Sequence, residues 1–295
     1  MTLDDRIKQD LSELYNRGNT PGIIQEALKL NGLIKSELGQ TSFATKALPG
    51  YYTGDRKAKT VMVMLNPGIG VHEANDNLIC DIMKHSMENA GDFVNYHKWC
   101  ADYGHKDKMR HDNFDLKQAF FLHNWKDTGI SLPENLCANP KSDRQILLDA
   151  KEAVLTQKLQ LELIPYASSS FKGFNKKKSH LVFPFVETMF DEIFSYERKY
   201  VIFCSKMFSL VFNEFEKEYP GTINEFGTCS QLIADSKIKG SCTVISINYH
   251  NKIVNAIIAN TFSSQALPNS YEKMEKYGDF CFNIFKTYIN KSTTK

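Results

Sequence analysis

Several signatures that fix a protein's chemistry at sight are missing from this sequence. There is no Gly-x-Gly-x-x-Gly and no Gly-x4-Gly-Lys-Ser/Thr, so neither a dinucleotide-binding turn nor a P-loop is predicted. No Gly-x-Ser-x-Gly occurs, which removes the nucleophile elbow and leaves Ser168-Ser169-Ser170 without a hydrolase context. Seven cysteines form no Cys-x-x-Cys pair and are unevenly spaced; they read as thiols of a reducing compartment rather than a disulfide framework. No apolar run approaches the roughly 20 residues that cross a bilayer. The first residues, MTLDDRIKQDLSEL, are charged and carry no signal-peptide core, so a cytoplasmic protein with no membrane partner is expected. A strong excess of either charge sign is also missing. A net charge of +2 calls for no acidic partner, and any nucleic-acid binding must come from a local patch.

What is present suits a folded chain. Of 295 residues, 42% are hydrophobic and 24% charged, which supports a sizeable core. Mean hydropathy is −0.37. No repeat and no Gly/Ser/Pro-rich linker divides the chain. Residues 4–17 and 21–38 read as helices, the second with Thr20 as N-cap and Pro21 at its first position. They form an expected helical N-terminal extension over 1–44, ahead of one α/β domain over 45–295.

Strands are predicted at 60–65, 159–164, 200–204, 243–247 and 254–260. Helices are predicted at 78–90, 92–103, 115–125, 143–157, 186–198, 206–217 and 270–290. In 159–164, Leu159, Leu161 and Leu163 share one face and Gln160 and Glu162 the other. Strands alternating with helices imply a three-layer α/β/α fold around a central, mostly parallel sheet of about four to five strands. The aromatics of the long 71–142 excursion, among them Tyr96, Phe120, Phe121 and Trp125, read as packed core.

The chain is organised around TVMVMLNPGIG, residues 60–70. A continuous apolar run that stops at turn residues reads as a buried parallel strand. Open α/β sheets place ligands at the loops leaving such strands. Pro67 fixes its own φ, Gly68 and Gly70 permit close backbone approach, and Asn66 can both donate and accept hydrogen bonds. An ordinary strand-to-loop turn accounts for the same residues.

Other candidates have two readings each. Phe171-Lys172-Gly173-Phe174-Asn175-Lys176-Lys177-Lys178 interleaves lysines and phenylalanines as a phosphate-neutralising, base-stacking loop would, or is a solvated basic loop. His97, Cys100, His105 and His111 have no recognised metal spacing, and no metal or other cofactor is expected. Cys80, Cys204, Cys242 and Cys281 sit in apolar contexts as core thiols. His250 lies in a turn between two strands. Tyr51-Tyr52 would stack on a base or pack the lead-in to the first strand.

Four segments, in order, resemble the uracil-DNA glycosylase superfamily. LNPG (65–68) looks like the first motif of its mismatch-specific branch. LELIPY (161–166) resembles the second strand and its exit, and VIFCSKMFSLVF (201–212) the third strand and following helix. ANTFSSQAL (259–267) falls where the second motif sits. The resemblance spans roughly residues 45–290 and extends to uncharacterised bacterial members. It implies an N-glycosylase acting in DNA repair on a base flipped out of the helix. Asn66 would hold the water, and Thr261 or Ser263 would assist the leaving base. Glu162, Pro67, Gly68 and Tyr166 would bind the base, and Gly70, Lys172, Lys176, Lys177, Lys178 and Ser264 the nucleic-acid backbone.

Three positions differ from the family pattern. Met64 stands for a glycine, Glu162 for a base-reading asparagine, and Thr261 for the histidine of the best-known branch. An ionised Glu162 accepts without donating, which suits a base edge that presents donors. Two other readings stay open: a catalytically silent module binding nucleic acid or a nucleotide, and a protein-interaction factor using the N-terminal helices and the 71–142 excursion.

Overall fold

The computed structural model describes residues 1–15, 21–35, 43–67, 93–103, 113–130, 152–168, 171, 173–233, 239–260 and 271–292. The chain forms two compact units, each assembled from separated stretches. One comprises Met1–Thr53, Met64–His105 and Leu161–Ser195, the other Gly54–Val63, Lys106–Gln160 and Tyr196–Lys295.

A seven-stranded, partly parallel sheet gives an α/β fold. Its strands are β1 (Tyr52–Gly54), β2 (Thr60–Met64), β3 (Lys158–Glu162), β4 (Tyr200–Phe203), β5 (Ile223–Leu232), β6 (Lys239–Tyr249) and β7 (Lys252–Ala259). They lie in the order β1-β3-β2-β4-β7-β6-β5. All five residues of β2 and all four of β4 are buried, as expected of strands covered on both faces. These two pair in parallel with Thr60 opposite Tyr200 and Val63 opposite Phe203. β4 pairs in parallel with β7, Ile202 opposite Ile257. In β3 the leucines are buried and Gln160 and Glu162 half-buried, the alternation its sequence predicts.

The sheet corrects the expectation of four to five mostly parallel strands. β6 is antiparallel to both β5 and β7, so one half is a meander. His250 and Asn251 join β6 to β7 with φ of 49° and 61°, both left-handed, as a two-residue type I′ hairpin requires. β5 escapes sequence reading because it alternates poorly: every residue is half-buried or exposed, and its register shifts between Glu225 and Gly227. β1 is three residues long, too short for a periodic signal.

In the first unit, α1 (Leu3–Tyr15) buries Leu3, Ile7, Leu11 and Leu14 on one stripe. Thr2 and Asp5 cap it reciprocally, Asp5 N donating to Thr2 Oγ1 at 3.1 Å and Thr2 N to Asp5 Oδ2 at 3.2 Å. The predicted helix 21–38 is instead a single short one, α2 (Gln25–Lys29), with Ile24 rather than Thr20 at its N-cap. It stops at Leu30, ahead of Gly32 in a left-handed turn at φ 78°. α1 packs on α3 (Phe93–Tyr103) and on α5 (Phe183–Phe194). The predicted helix 78–90 lies outside the described residues.

In the second unit, α4 (Asn113–Leu122) packs on α7 (Tyr271–Ser292), and α6 (Met207–Glu218) touches β5. Of the aromatics predicted as core in the 71–142 excursion, Tyr96, Phe120, Phe121 and Trp125 are buried, while Phe93 and Phe114 are half-buried. Trp125 stands edge-on to Tyr200 at 5.1 Å and donates its indole N–H to Gly278 O at 3.1 Å. A Cβ on Gly278 would lie 1.9 Å from Phe121 O, so the two backbones touch there. Helix propensity favours alanine over glycine by about 1 kcal/mol. The clash outweighs that gain, because a backbone oxygen cannot swing aside. We expect Gly278→Ala to destabilise the protein by at least about 2 kcal/mol in urea denaturation. Unchanged or increased stability would show that α4 and α7 do not approach so closely.

Candidate functional site

The strand order places β2 where the chain's winding reverses. From β2 the chain goes first to β3 on one side and later to β4 on the other. Such a switch point is where open α/β sheets bind ligands, outside the C-terminal ends of the strands. Leu65, Asn66 and Pro67 are the residues that leave β2 there.

They run beside the exit of β3. Leu163 N donates to Met64 O and Ile164 N to Leu65 O, both at 2.9 Å, and Ser168 N donates to Pro67 O at 3.2 Å. Both chains advance in the same direction through these bonds. Asn66 Nδ2 donates to Pro67 O at 2.8 Å, to Ser168 Oγ at 2.8 Å and to Tyr166 O at 3.3 Å. The surroundings therefore assign the amide: exchanging its nitrogen and oxygen would set Oδ1 against two carbonyl oxygens. With Nδ2 fully used, Oδ1 is left as an acceptor with no partner among the described residues. A carboxamide oxygen at neutral pH orients a water by accepting its hydrogen; it does not take the proton.

Behind this loop lies a buried polar cluster in the same unit. Asp10 on α1 is 1% exposed. Its Oδ2 accepts the hydroxyl of Tyr166 at 2.6 Å and also that of Tyr51. Tyr51 OH lies 3.2 Å from a second acceptor, Arg6 O. Arg6, one turn before Asp10, donates through Nε to Thr188 Oγ1 at 2.7 Å and through its terminal nitrogen to Pro184 O at 2.9 Å. Its guanidinium lies over the Phe185 ring at 4.4 Å. His97 accepts Tyr51 N at 3.3 Å on Nε2 and packs against the Tyr51 and Tyr52 rings. Burial pushes Asp10 up to about 6, against the two tyrosine hydrogen bonds, which favour its charge. Burial and the neighbouring Asp10 also hold the Tyr51 and Tyr166 hydroxyls above their ordinary range.

The sequence-predicted residues fall in different surroundings. Asn66, Pro67 and Tyr166 come together, but Tyr166 does so through its carbonyl. Its ring is buried against Phe185 and its hydroxyl holds Asp10, so no face of it is open to a base. Glu162 N donates to Tyr51 O at 3.0 Å. Its side chain lines a cavity of about 20 Å³ with Arg6, Tyr51, Thr188 and Glu192. That volume suits one water molecule, not a nucleobase, and Asn66 is not among its lining residues. A larger groove of about 350 Å³ opens in the other unit at the start of β2, between Lys57, Lys59, Thr60, Asp127 and Gln157.

Lys176, Lys177 and Lys178 are exposed on a 3-10 turn (Lys176–Leu181) capped by Asn175. Lys178 Nζ donates to Asn31 O at 2.8 Å, while Lys176 and Lys177 have no side-chain partner among the described residues. Phe171 stacks on Phe174 at 6.5 Å and packs near Phe43 at 6.3 Å, so the phenylalanines of this loop contact each other. Gly68, Gly70, Lys172, Thr261, Ser263 and Ser264 lie outside the described residues, as do His105 and His111. Among the described residues no group of three metal-ligating side chains occurs. No described helix is long and apolar enough to cross a membrane.

Four residues were missed from sequence. Ser168 was set aside with its neighbours as lacking a nucleophile motif, yet its hydroxyl holds Asn66. Asp10 and Arg6 carry no sequence signal, because charged residues on an amphipathic helix usually face water. Asn260, inside the ANTF segment, is a structural staple. Its Oδ1 accepts Ser241 N at 3.1 Å and Ser241 Oγ at 2.8 Å, and its Nδ2 donates to Lys239 O at 3.1 Å. An asparagine directly after a strand of apolar residues was the available signal.

No protein-family model matches the chain, and no curated protein matches it.

The Asp10 cluster gives stability a defined pH dependence. The folded state holds the Asp10 proton more tightly than the unfolded chain, where the ordinary value is 3.8. Its contribution is therefore complete below about pH 4 and is lost as pH rises through 6. The shift corresponds to about 3 kcal/mol. We expect Asp10→Asn to flatten the fall in urea stability between pH 4 and 7 while leaving stability near pH 4 little changed. A variant with the wild-type slope would place that titration elsewhere.

Proposed function

We propose that the protein hydrolyses the N-glycosidic bond of a base flipped from nucleic acid, on a three-layer uracil-DNA-glycosylase-like fold. One observation carries the reading: Asn66, at the end of the switch-point strand, has its nitrogen bound by three acceptors and its oxygen left to accept from a water. The resemblance of LNPG to a glycosylase first motif supports it. So does the order of the later segments, since the second, third and last core strands expected from the resemblance correspond to β3, β4 and β7. Breaking the base–sugar bond builds positive charge on the sugar and requires a water held beneath it. Asn66 Oδ1 orients that water, and the resemblance assigns the departing base to Thr261 or Ser263.

Incubation with oligonucleotides carrying uracil, hypoxanthine, xanthine or mispaired thymine tests this. Abasic product is expected from at least one of them, reduced about 100-fold or more in Asn66→Ala. Folded protein that yields no abasic product from any of these substrates would end the proposal.

A second reading, a binding module without chemistry, is favoured by Lys176 and Lys177, exposed and free of side-chain partners among the described residues. Replacing both by alanine is expected to lower the log–log salt slope of DNA binding by about 2. Binding that depends on these lysines, with no abasic product, would favour this reading. A salt slope that does not move would exclude these lysines as phosphate contacts.

A further inference from the structure

Asp10 is a buried titratable group that the proposed chemistry does not use. It nonetheless stands two hydrogen bonds from the residue that chemistry depends on. Tyr166 is the link, since its hydroxyl donates to Asp10 Oδ2 at 2.6 Å and its carbonyl accepts from Asn66 Nδ2 at 3.3 Å. One residue thus clasps the carboxyl with its side chain and the asparagine with its backbone.

We propose that Asp10 is a positioning residue for Asn66, and that gain or loss of its proton resets the asparagine through Tyr166. The assignment to Asn66 as water holder rests on the glycosylase reading; the coupling itself does not.

The physical argument starts from Oδ2. Two tyrosine hydroxyls converge on that one oxygen, which a carboxylate accommodates through its lone pairs and charge. A protonated carboxyl has lost its charge and is a weaker acceptor, so both hydroxyl bonds weaken. Tyr51 has somewhere to go, because Arg6 O already lies 3.2 Å from its oxygen. Tyr166 OH has no second acceptor among the described residues, so its bond weakens in place. The Tyr166 ring is wedged edge-on to Phe185 at 5.9 Å, and its movement passes to its own backbone. The Tyr166 carbonyl contact is the longest of the three Asn66 bonds, and so the one most readily lost.

The charges around Asp10 come from every element near it. Arg6 and Glu13 share α1, and Arg6 favours the ionised form while Glu13 opposes it. Glu26 on α2 acts on Tyr166. His97 on α3 contacts Tyr51. Glu162 on β3 and Glu192 on α5 line the cavity beside Arg6. Burial is the largest influence and pushes Asp10 up to about 6, which puts the switch inside the range where proteins work. Ionised Asp10 holds both tyrosines and sets Asn66; protonated Asp10 releases it.

The test follows the Asn66 side-chain amide of the full chain by 1H–15N NMR from pH 4.5 to 8, assigned by its loss in Asn66→Asp. The expected result is a titration of that amide with a midpoint near 6. It should be absent in Asp10→Asn and in Tyr166→Phe. The second variant keeps the carboxyl but cuts the link, and it decides the matter if the first does not fold. A flat Asn66 amide in the wild type, or a titration that survives in either folded variant, overturns the proposal. The pH profile of base release is read in parallel and should lose its acid limb in Asp10→Asn. Absence of abasic product from every oligonucleotide defeats the glycosylase reading and leaves the amide titration to judge the coupling. Product formation beside a flat amide defeats the coupling alone.

Discussion

The fold depends on one constraint: β2 must be covered on both faces and paired on both edges. Five consecutive buried residues, Thr60 to Met64, tolerate no water on either side. With β3 on one edge and β4 on the other, the chain must reverse its direction of winding at this strand. The loop that leaves it is thereby set at the ligand side of an α/β sheet. The same constraint explains why Asn66 is so well held. Backbone groups beyond β2 and β3 still need partners, and they meet one another through Leu163, Ile164 and Ser168 before the chains diverge. Asn66 completes that set with its side chain.

Sequence reading recovered what has a period. β2, β3, β4, β6 and β7 and the helices over 93–103, 113–122, 183–194, 207–218 and 271–292 were visible because apolar runs, alternation and helical stripes repeat within a few residues. What it lost has no period. β5 is a polar edge whose pairing comes from its neighbour β6, and β1 is too brief to alternate. The parallel expectation failed on one half of the sheet because the tight His250-Asn251 turn dictates an antiparallel partner. Neither residue is the glycine that usually marks such a turn.

The candidate site divides along the same line. Asn66 was legible because it sits at an abrupt change from apolar strand to turn residues. Tyr166, Ser168, Asp10 and Arg6 were not legible in their actual roles. The Tyr166–Asp10 bond joins residues separated by 156 positions, and a contact of that kind leaves no local mark. Arg6 and Asp10 carry no motif, and charged residues on an amphipathic helix usually form its solvated face. Their burial follows from the tyrosines, Thr188 and the Phe185 ring that receive them, and those lie in three other parts of the chain.

The pairing of β2 with β4 also has a consequence for biosynthesis. Thr60 meets Tyr200, so a strand buried along its whole length emerges from the ribosome long before this neighbour exists. The β5–β6–β7 meander is assembled from adjacent segments and closes soon after it is made. β2 spends the interval as a bare hydrophobic edge, the kind of segment that chaperones bind and that aggregates when left alone. Slow, long-range closure of the central ladder is thus built into the order of the chain, since residues 60–63 cannot complete their pairing with β4 until residue 203 has been added.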